Sequence, residues 1–285
     1  MGFALVMFGY DCWFLQVRGA VESTGHKTLN SNGRAYWRFT TDEIAAYDLP
    51  ATINYILSVA GKANLTLIGH SQAAKISLQM LSTKTDYQQK IDKLIYIAPV
   101  ARLGHTKAIF YRSLFPLLIN SFLYFYGGPV PDVISPLAPF TRNIAIGKII
   151  WELLNLSIYG PVAPVDPKRI QVYISHIGGA SMWNLVNLVR DADKCISYFD
   201  YGRVQNLKRY NSVNAPLYDI RKVDTKMVFI IGKNDFTTAK EDVDCIRTKV
   251  KNIVAEKPFE NMNHLNLIFG PRACEVTKYI LEQLQ

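Results

Sequence analysis

The sequence predicts an α/β protein built on a mostly parallel sheet, and three observations carry that prediction. Short apolar runs of strand length alternate with segments of helical period. One strand–helix junction carries the pattern Gly-x-Ser-x-Ala, "GHSQA". A long Leu-, Ile-, Phe-, Tyr- and Pro-rich stretch of helical character separates two such α/β portions. The 285 residues, 49% hydrophobic and 12% aromatic, suffice for one large core with a cap over it.

The opening "MGFALVMFGYDCWF" reads as a helix end, a turn at Gly9 and a strand from Asp11 to Val17. Polar sequence runs on to about Arg38. "TTDEIAAYDLPATINYIL" predicts a helix with Asp48 as N-cap and Pro50 in its first turn. In "NLTLIGHSQAAKISLQML", Leu65, Leu67 and Ile68 read as a buried strand. Ala73, Ile76, Leu78 and Leu81 form the apolar face of the helix that follows. "KIDKLIYIAPVA" is another buried strand, ending near Pro99. Residues 101–215 predict a helical cap inserted between a first core part, 1–100, and a second, 216–285. In the second part "TKMVFIIGKND" is a strand with a loop at its end and "AKEDVDCIRTKV" a helix. A last loop then leads to the helix "ACEVTKYILEQL".

Composition excludes several classes. The net charge is +9, but the basic residues are scattered, with no Arg/Lys-rich helix and no RNA-type aromatic motif. Nucleic acid is therefore not an expected partner; a soluble basic surface, or attraction to anionic lipid, accounts for the charge. Cys12, Cys195, Cys245 and Cys274 form no C-x-x-C pair, and no Cys/His cluster has zinc spacing. Cys12 and Cys195, in apolar or aromatic surroundings, read as buried thiols; the even count permits disulfides without assigning them. The apolar run Ala108–Gly128 is broken by Arg112 and Pro116, which points to cap helices with interfacial contact, not a stable membrane span. The N-terminus has no basic stretch and no small-residue cleavage site, so no signal peptide is read in this chain. Nothing legible sets the oligomeric state.

Ser71 sits where strand turns into helix. Such a corner leaves little room, so the residues two before and two after it must be small; Gly69 and Ala73 meet that need. The turn holds the serine hydroxyl clear of the sheet. A serine hydroxyl is a poor nucleophile at neutral pH and needs a histidine to accept its proton and a carboxylate to orient that histidine. Asp235, just past the strand Met227–Ile231, and His264, in "FENMNHLNLIFG", follow in the order Ser…Asp…His of an α/β-hydrolase. Asp242 and Asp244 fall inside a predicted helix; His26 lies in a polar loop, His70 beside the serine, and His105 and His176 in or beside the cap.

These pieces together resemble the acid lipase family of animal α/β-hydrolases, which includes gastric and lysosomal lipases and insect lipase-like proteins. The resemblance rests on "GYDCWFLQVRG", "FTTDEIAAYDLPATINYIL", "LIGHSQA", "YIAPVA", "ISHIGGAS", "FDYG…NLKRYNS", "PLYDI", "GKNDF" and "NMNHLNLIFG", in order over nearly the whole chain. It implies an α/β-hydrolase fold with a helical cap and hydrolysis of lipid esters such as acylglycerols or sterol esters, working at a lipid–water interface. It implies Ser71 as nucleophile, Asp235 as acid and His264 as base, with the backbone N–H of Gln72 as an oxyanion donor. It implies no metal or organic cofactor, and a secreted or lysosomal location. The sequons at Asn64 and Asn155 would fit a glycoprotein. Two departures stand out: the elbow ends in Ala73 where the family has glycine, and the family's H-G-L segment, which supplies a second oxyanion donor, belongs before the point where this sequence starts. The expectation is thus an N-terminally truncated member. A catalytically impaired, lipid-binding protein on the same fold is the alternative; a peptidase or thioesterase is a third reading, since a triad does not define its leaving group. In the cap, Phe110 to Tyr126 would hold acyl chains; Trp151 and Trp183 are candidate lining residues, with simple cap core the more usual role for such side chains.

Overall fold

The computed structural model describes residues 1–116, 128, 139–161, 165–175, 179–190 and 194–285. Residues 117–126 of the expected acyl-binding stretch, and His176 in "ISHIGGAS", lie outside them. Among the described residues the sheet has four strands, β1 (Leu65–His70), β2 (Ile91–Ile97), β3 (Lys226–Gly232) and β4 (Ile253–Phe259), in the order β1-β2-β3-β4 and all parallel. Helices precede and follow the strands: α1 (Gly2–Met7), α2 (Thr41–Glu43), α3 (Leu49–Ala60) and α4 (Ala73–Thr83) in the first part. Between β2 and β3 come α5 (Ile144–Leu154), α6 (Ile170–Ser175), α7 (Met182–Arg190) and α8 (Arg203–Tyr210). The chain ends through α9 (Lys240–Arg247), α10 (Asn266–Phe269) and α11 (Ala273–Leu284).

The buried strands read as continuous apolar runs because helices cover both faces of the sheet. Leu94 and Tyr96 of β2, with Met227 and Phe229 of β3, face Leu78 and Leu81 of α4 and Val243 and Ile246 of α9. The alternate residues Ile95, Ile97, Val228 and Ile230 face Leu5 of α1 and Val276 and Ile280 of α11. Helix α4 is buried on more than its predicted face: Lys75, Ser77 and Gln79 are as inaccessible as Leu78 and Leu81.

Four local expectations need correction. The segment Asp11–Val17 is not a strand; among the described residues it has no ladder partner, and a strand without one leaves its backbone groups unpaired. Instead Trp13 packs edge-on against Tyr55 of α3 and Cys12 against the second core. Asp48 is not an N-cap. The helical stretch starts earlier, where Thr40 and Glu43 form a capping box, and it passes through a π-turn at Ile44–Asp48 into α3. That wide turn lies just ahead of Pro50, whose ring and missing N–H disfavour a regular α-turn. Asp48 is occupied instead by Arg18, whose backbone N and Nε donate to its two oxygens at 2.9 and 2.8 Å. Cys195 is no free thiol: it is bonded to Cys245 of α9, with a Cα–Cα distance of 5.6 Å. Finally, β4 lies where only a loop is expected. Its sequence "IVAEKPF" lacks an apolar run because much of the strand is exposed; among the described residues it pairs only with β3, and Pro258 is tolerated at such an edge.

Candidate active site

All three side chains singled out in the sequence emerge beyond the C-terminal ends of parallel strands, where the loops of an open α/β sheet converge. Ser71 follows β1 directly and carries a φ of 57°, in the left-handed region. Its N–H donates to Ile97 O at 2.9 Å, and its carbonyl accepts from Val100 N at 3.0 Å and Ala74 N at 3.2 Å, tying the corner to the end of β2. The corner is as tight as the small residues suggest: a Cβ on Gly69 would lie 2.7 Å from Ala73 Cβ. The methyl of Ala73 fits only because position 69 has none.

Asp235 sits in the turn after β3. Its Oδ1 accepts from the backbone N–H groups of Thr237 and Thr238, both at 2.8 Å, and its Oδ2 accepts from His264 Nδ1 at 2.7 Å. On the other side of the ring, His264 Nε2 lies 2.9 Å from Ser71 Oγ. With the Nδ1 proton donated to a carboxylate, Nε2 is left as acceptor for the serine hydroxyl. Asp235 and His264 are buried, whereas Ser71 is part-exposed, so the hydroxyl is the face of this relay open to a ligand.

The loop bearing His264 is held by an asparagine cluster. Asn263 Oδ1 accepts from Leu265 N and Asn266 N at 3.1 and 2.9 Å, and its Nδ2 donates to Gly160 O at 3.0 Å and Asn155 Oδ1 at 3.2 Å. Gly232, at the end of β3, allows the close approach: a Cβ there would fall 2.5 Å from Met262 O. Tyr159 stacks over the His264 ring, centroids 5.8 Å apart and planes 9° from parallel. His70 donates from Nε2 to His264 O at 3.1 Å. Burial, and then the neighbouring His264, push the His70 pKa down to about 3, so this imidazole stays neutral and puts no second positive charge beside an imidazolium.

Ser71 opens into a cavity of about 310 Å³ whose walls include Val100, Leu103, Tyr111, Leu188, Ile268 and Phe269. Trp151 and Trp183 do not line it; Trp151 packs in a separate cluster with Ile170, Ile174 and Leu265, and Trp183 lies against Phe199. Asn155 is fully buried, so its sequon is closed in the folded chain, while Asn64 is exposed. Among the described residues no group of three His, Cys, Asp or Glu could hold a metal, and no helix is long and apolar enough to cross a membrane.

The family model for the alpha/beta hydrolase fold matches residues 3–143. A "Tear acid lipase-like protein" of Mesocricetus auratus is 30% identical over 300 aligned residues, covering 100% of this chain and 73% of its own length. A "Gastric triacylglycerol lipase" of Bos taurus is 30% identical over 281 residues, with 95% of this chain and 70% of its own length covered. The chain belongs to the acid lipase family. The crystal structure of a monoacylglycerol lipase from Paleococcus ferrophilus superposes with a TM-score of 0.51 at 14% identity, over 86% of this chain and 75% of the other, which speaks to the fold.

In this acid lipase chain some buried polar groups carried no sequence signal. One is Asp42, in the first turn of α2. Its Oδ1 accepts from Gln79 Nε2 at 2.9 Å and Tyr218 Oη at 3.0 Å, and its Oδ2 from Phe199 N at 2.8 Å. Burial outweighs these bonds and the nearby Lys75, and pushes its pKa up to about 6. The carboxyl therefore binds a proton on folding between about pH 4 and pH 6. The stability it contributes is present in full below its unfolded pKa and is lost as pH rises through 6. The shift amounts to about 2–3 kcal/mol. Asp42→Asn should remove this slope. In urea denaturation from pH 4 to 7, the wild type is expected to lose that amount relative to the variant; parallel curves would contradict it. Taking the difference also cancels the opposite contribution of neutral His70, which is common to both proteins.

Proposed function

We propose that this chain is a serine carboxylic ester hydrolase acting on lipid esters, acylglycerols or sterol esters. The observation that carries the reading is the unbroken Ser71 Oγ–His264 Nε2, His264 Nδ1–Asp235 Oδ2 relay opening into an apolar cavity. Ser71 Oγ attacks the ester carbonyl carbon while His264 Nε2 takes its proton. Asp235 holds the ring in the accepting tautomer and stabilises the imidazolium. The tetrahedral oxyanion is met by the Gln72 N–H, which no acceptor among the described residues takes, at the N-terminus of α4. The C–O bond to the alcohol then breaks, and the imidazolium returns the proton to the leaving alkoxide. Water, deprotonated by His264, releases the fatty acid from the acyl-enzyme. Residues 101–215 act as a cap over a core of 1–100 and 216–285. The family and the Cys195–Cys245 bond, which persists in oxidising compartments, support a secreted or lysosomal site of action.

A fluorophosphonate probe tests the nucleophile. The wild type is expected to label stoichiometrically at Ser71 and Ser71→Ala not at all; equal labelling of the two would overturn the assignment. Esters of short and long acyl chains, with a thioester and a peptide as comparison substrates, then test the substrate class. Saturable lipid binding without labelling or turnover would favour an impaired, lipid-binding member of the family.

A further inference from the structure

We propose that Asn184, on α7, is a positioning residue for the oxyanion donor: its side chain clamps Gln72, whose backbone N–H would receive the developing negative charge. The inference rests on the reading of Ser71 as nucleophile. Gln72 and Asn184 exchange a reciprocal pair of amide hydrogen bonds, Gln72 Nε2 to Asn184 Oδ1 and Asn184 Nδ2 to Gln72 Oε1, each 3.0 Å. The pair spans 112 residues of sequence, and Asn184 is only 8% exposed. Gln72 is the N-cap residue of α4, yet its side chain bonds no N–H of that helix; it reaches sideways to α7 instead.

A second pair one turn further repeats the link. Lys75, fully buried, donates from Nζ to Asn187 Oδ1 at 2.6 Å, and the same oxygen accepts from Thr41 Oγ1 at 2.8 Å. The spacing is three residues on each helix, so α7 runs along the first turn of α4 and is fastened to it twice. The residue between the nucleophile and α4 is thereby held at both ends, by the strained Ser71 backbone on one side and by α7 on the other. A peptide N–H that must meet an oxyanion at hydrogen-bond distance gains from such fixing, because a donor displaced by about 1 Å loses most of its effect. Breaking the amide pair would also strand the buried amide of Asn184 beside the half-buried one of Gln72, which gives the clamp a single preferred state.

The test compares Asn184→Leu with wild type on a water-soluble nitrophenyl ester and on the matching thionoester. Sulfur accepts hydrogen bonds poorly, so the thionoester gains little from an oxyanion donor. The expected result is a fall of about 10- to 100-fold in kcat for the oxygen ester, with KM within about twofold, a lower ester-to-thionoester rate ratio, and complete but slower fluorophosphonate labelling of Ser71. An unchanged kcat, or an equal loss on both esters, would overturn the clamp. An unlabelled wild type would instead overturn the serine assignment. Should Asn184→Leu fail to fold, the exchange settles the matter: Gln72→Asn alone is expected to lose activity and Gln72→Asn with Asn184→Gln to recover it. A double variant as slow as the single one would count against the proposal.

Discussion

Asp235→Asn is expected to lower kcat by about four orders of magnitude while leaving the fold intact. The reason lies in which atoms of Asp235 do what. Oδ2 faces His264 Nδ1 at 2.7 Å, whereas Oδ1 accepts two backbone N–H groups. An asparagine keeps its carbonyl oxygen toward Thr237 and Thr238 and so presents its NH₂ to the ring. Two donors cannot share that contact, so His264 shifts its proton to Nε2. The imidazole then points an N–H at Ser71 Oγ and can no longer accept the serine proton. The loop keeps its backbone bonds, so the melting temperature should move by only a few degrees. Steady-state kinetics on a short-chain ester together with a thermal melt checks both parts. A variant with more than a tenth of wild-type kcat would show that His264 is not oriented by Asp235.

Removing the disulfide is expected to have the largest effect on stability. Cys195 and Cys245 lie 50 residues apart, and closing a loop of that length is worth about 4 kcal/mol through the entropy of the unfolded chain. The bond ties the segment after α7 to α9, and it adds to the packing of Ile196, Val243 and Ile246 into the core on its two sides. From α9, Asp242 accepts from Arg102 Nε at 2.8 Å and from His105 N at 2.9 Å, so loosening this helix also loosens the loop that follows β2. Cys195→Ala with Cys245→Ala should therefore show a lower urea midpoint, and wild type under reductant should match it. Oxidised and reduced wild type with the same midpoint would mean that the bond contributes nothing.

The parts of this fold that were legible in sequence share a physical cause: each is specified by residues close together along the chain. The strand–serine–helix corner needs small residues at 69 and 73, and the steric limit shows directly in the sequence and in the 2.7 Å approach. Strands β2 and β3 are buried on both faces, so their apolar runs are unmistakable, and α11 carries its own helical period. What was misread depends on distant partners. Asp11–Val17 has strand-like composition but, among the described residues, no neighbour to pair with; "IVAEKPF" has poor strand composition but a neighbour in β3. Asp48 looks like a cap by local pattern, yet Arg18 claims it.

By itself, then, the sequence determined the α/β-hydrolase class, the three residues Ser71, Asp235 and His264 as a candidate set in their chain order, and the resemblance to acid lipases. These follow from short-range sterics and from the kinds of side chain the chemistry requires. Only the tertiary structure decided that those three side chains meet at hydrogen-bond distance, that Asn263 and Tyr159 hold the imidazole, that Cys195 pairs with Cys245, and that Gln72 and Lys75 are fastened to α7. Each of those facts joins residues tens to nearly two hundred positions apart. Such contacts depend on how whole helices and strands pack, and local sequence pattern carries no record of them.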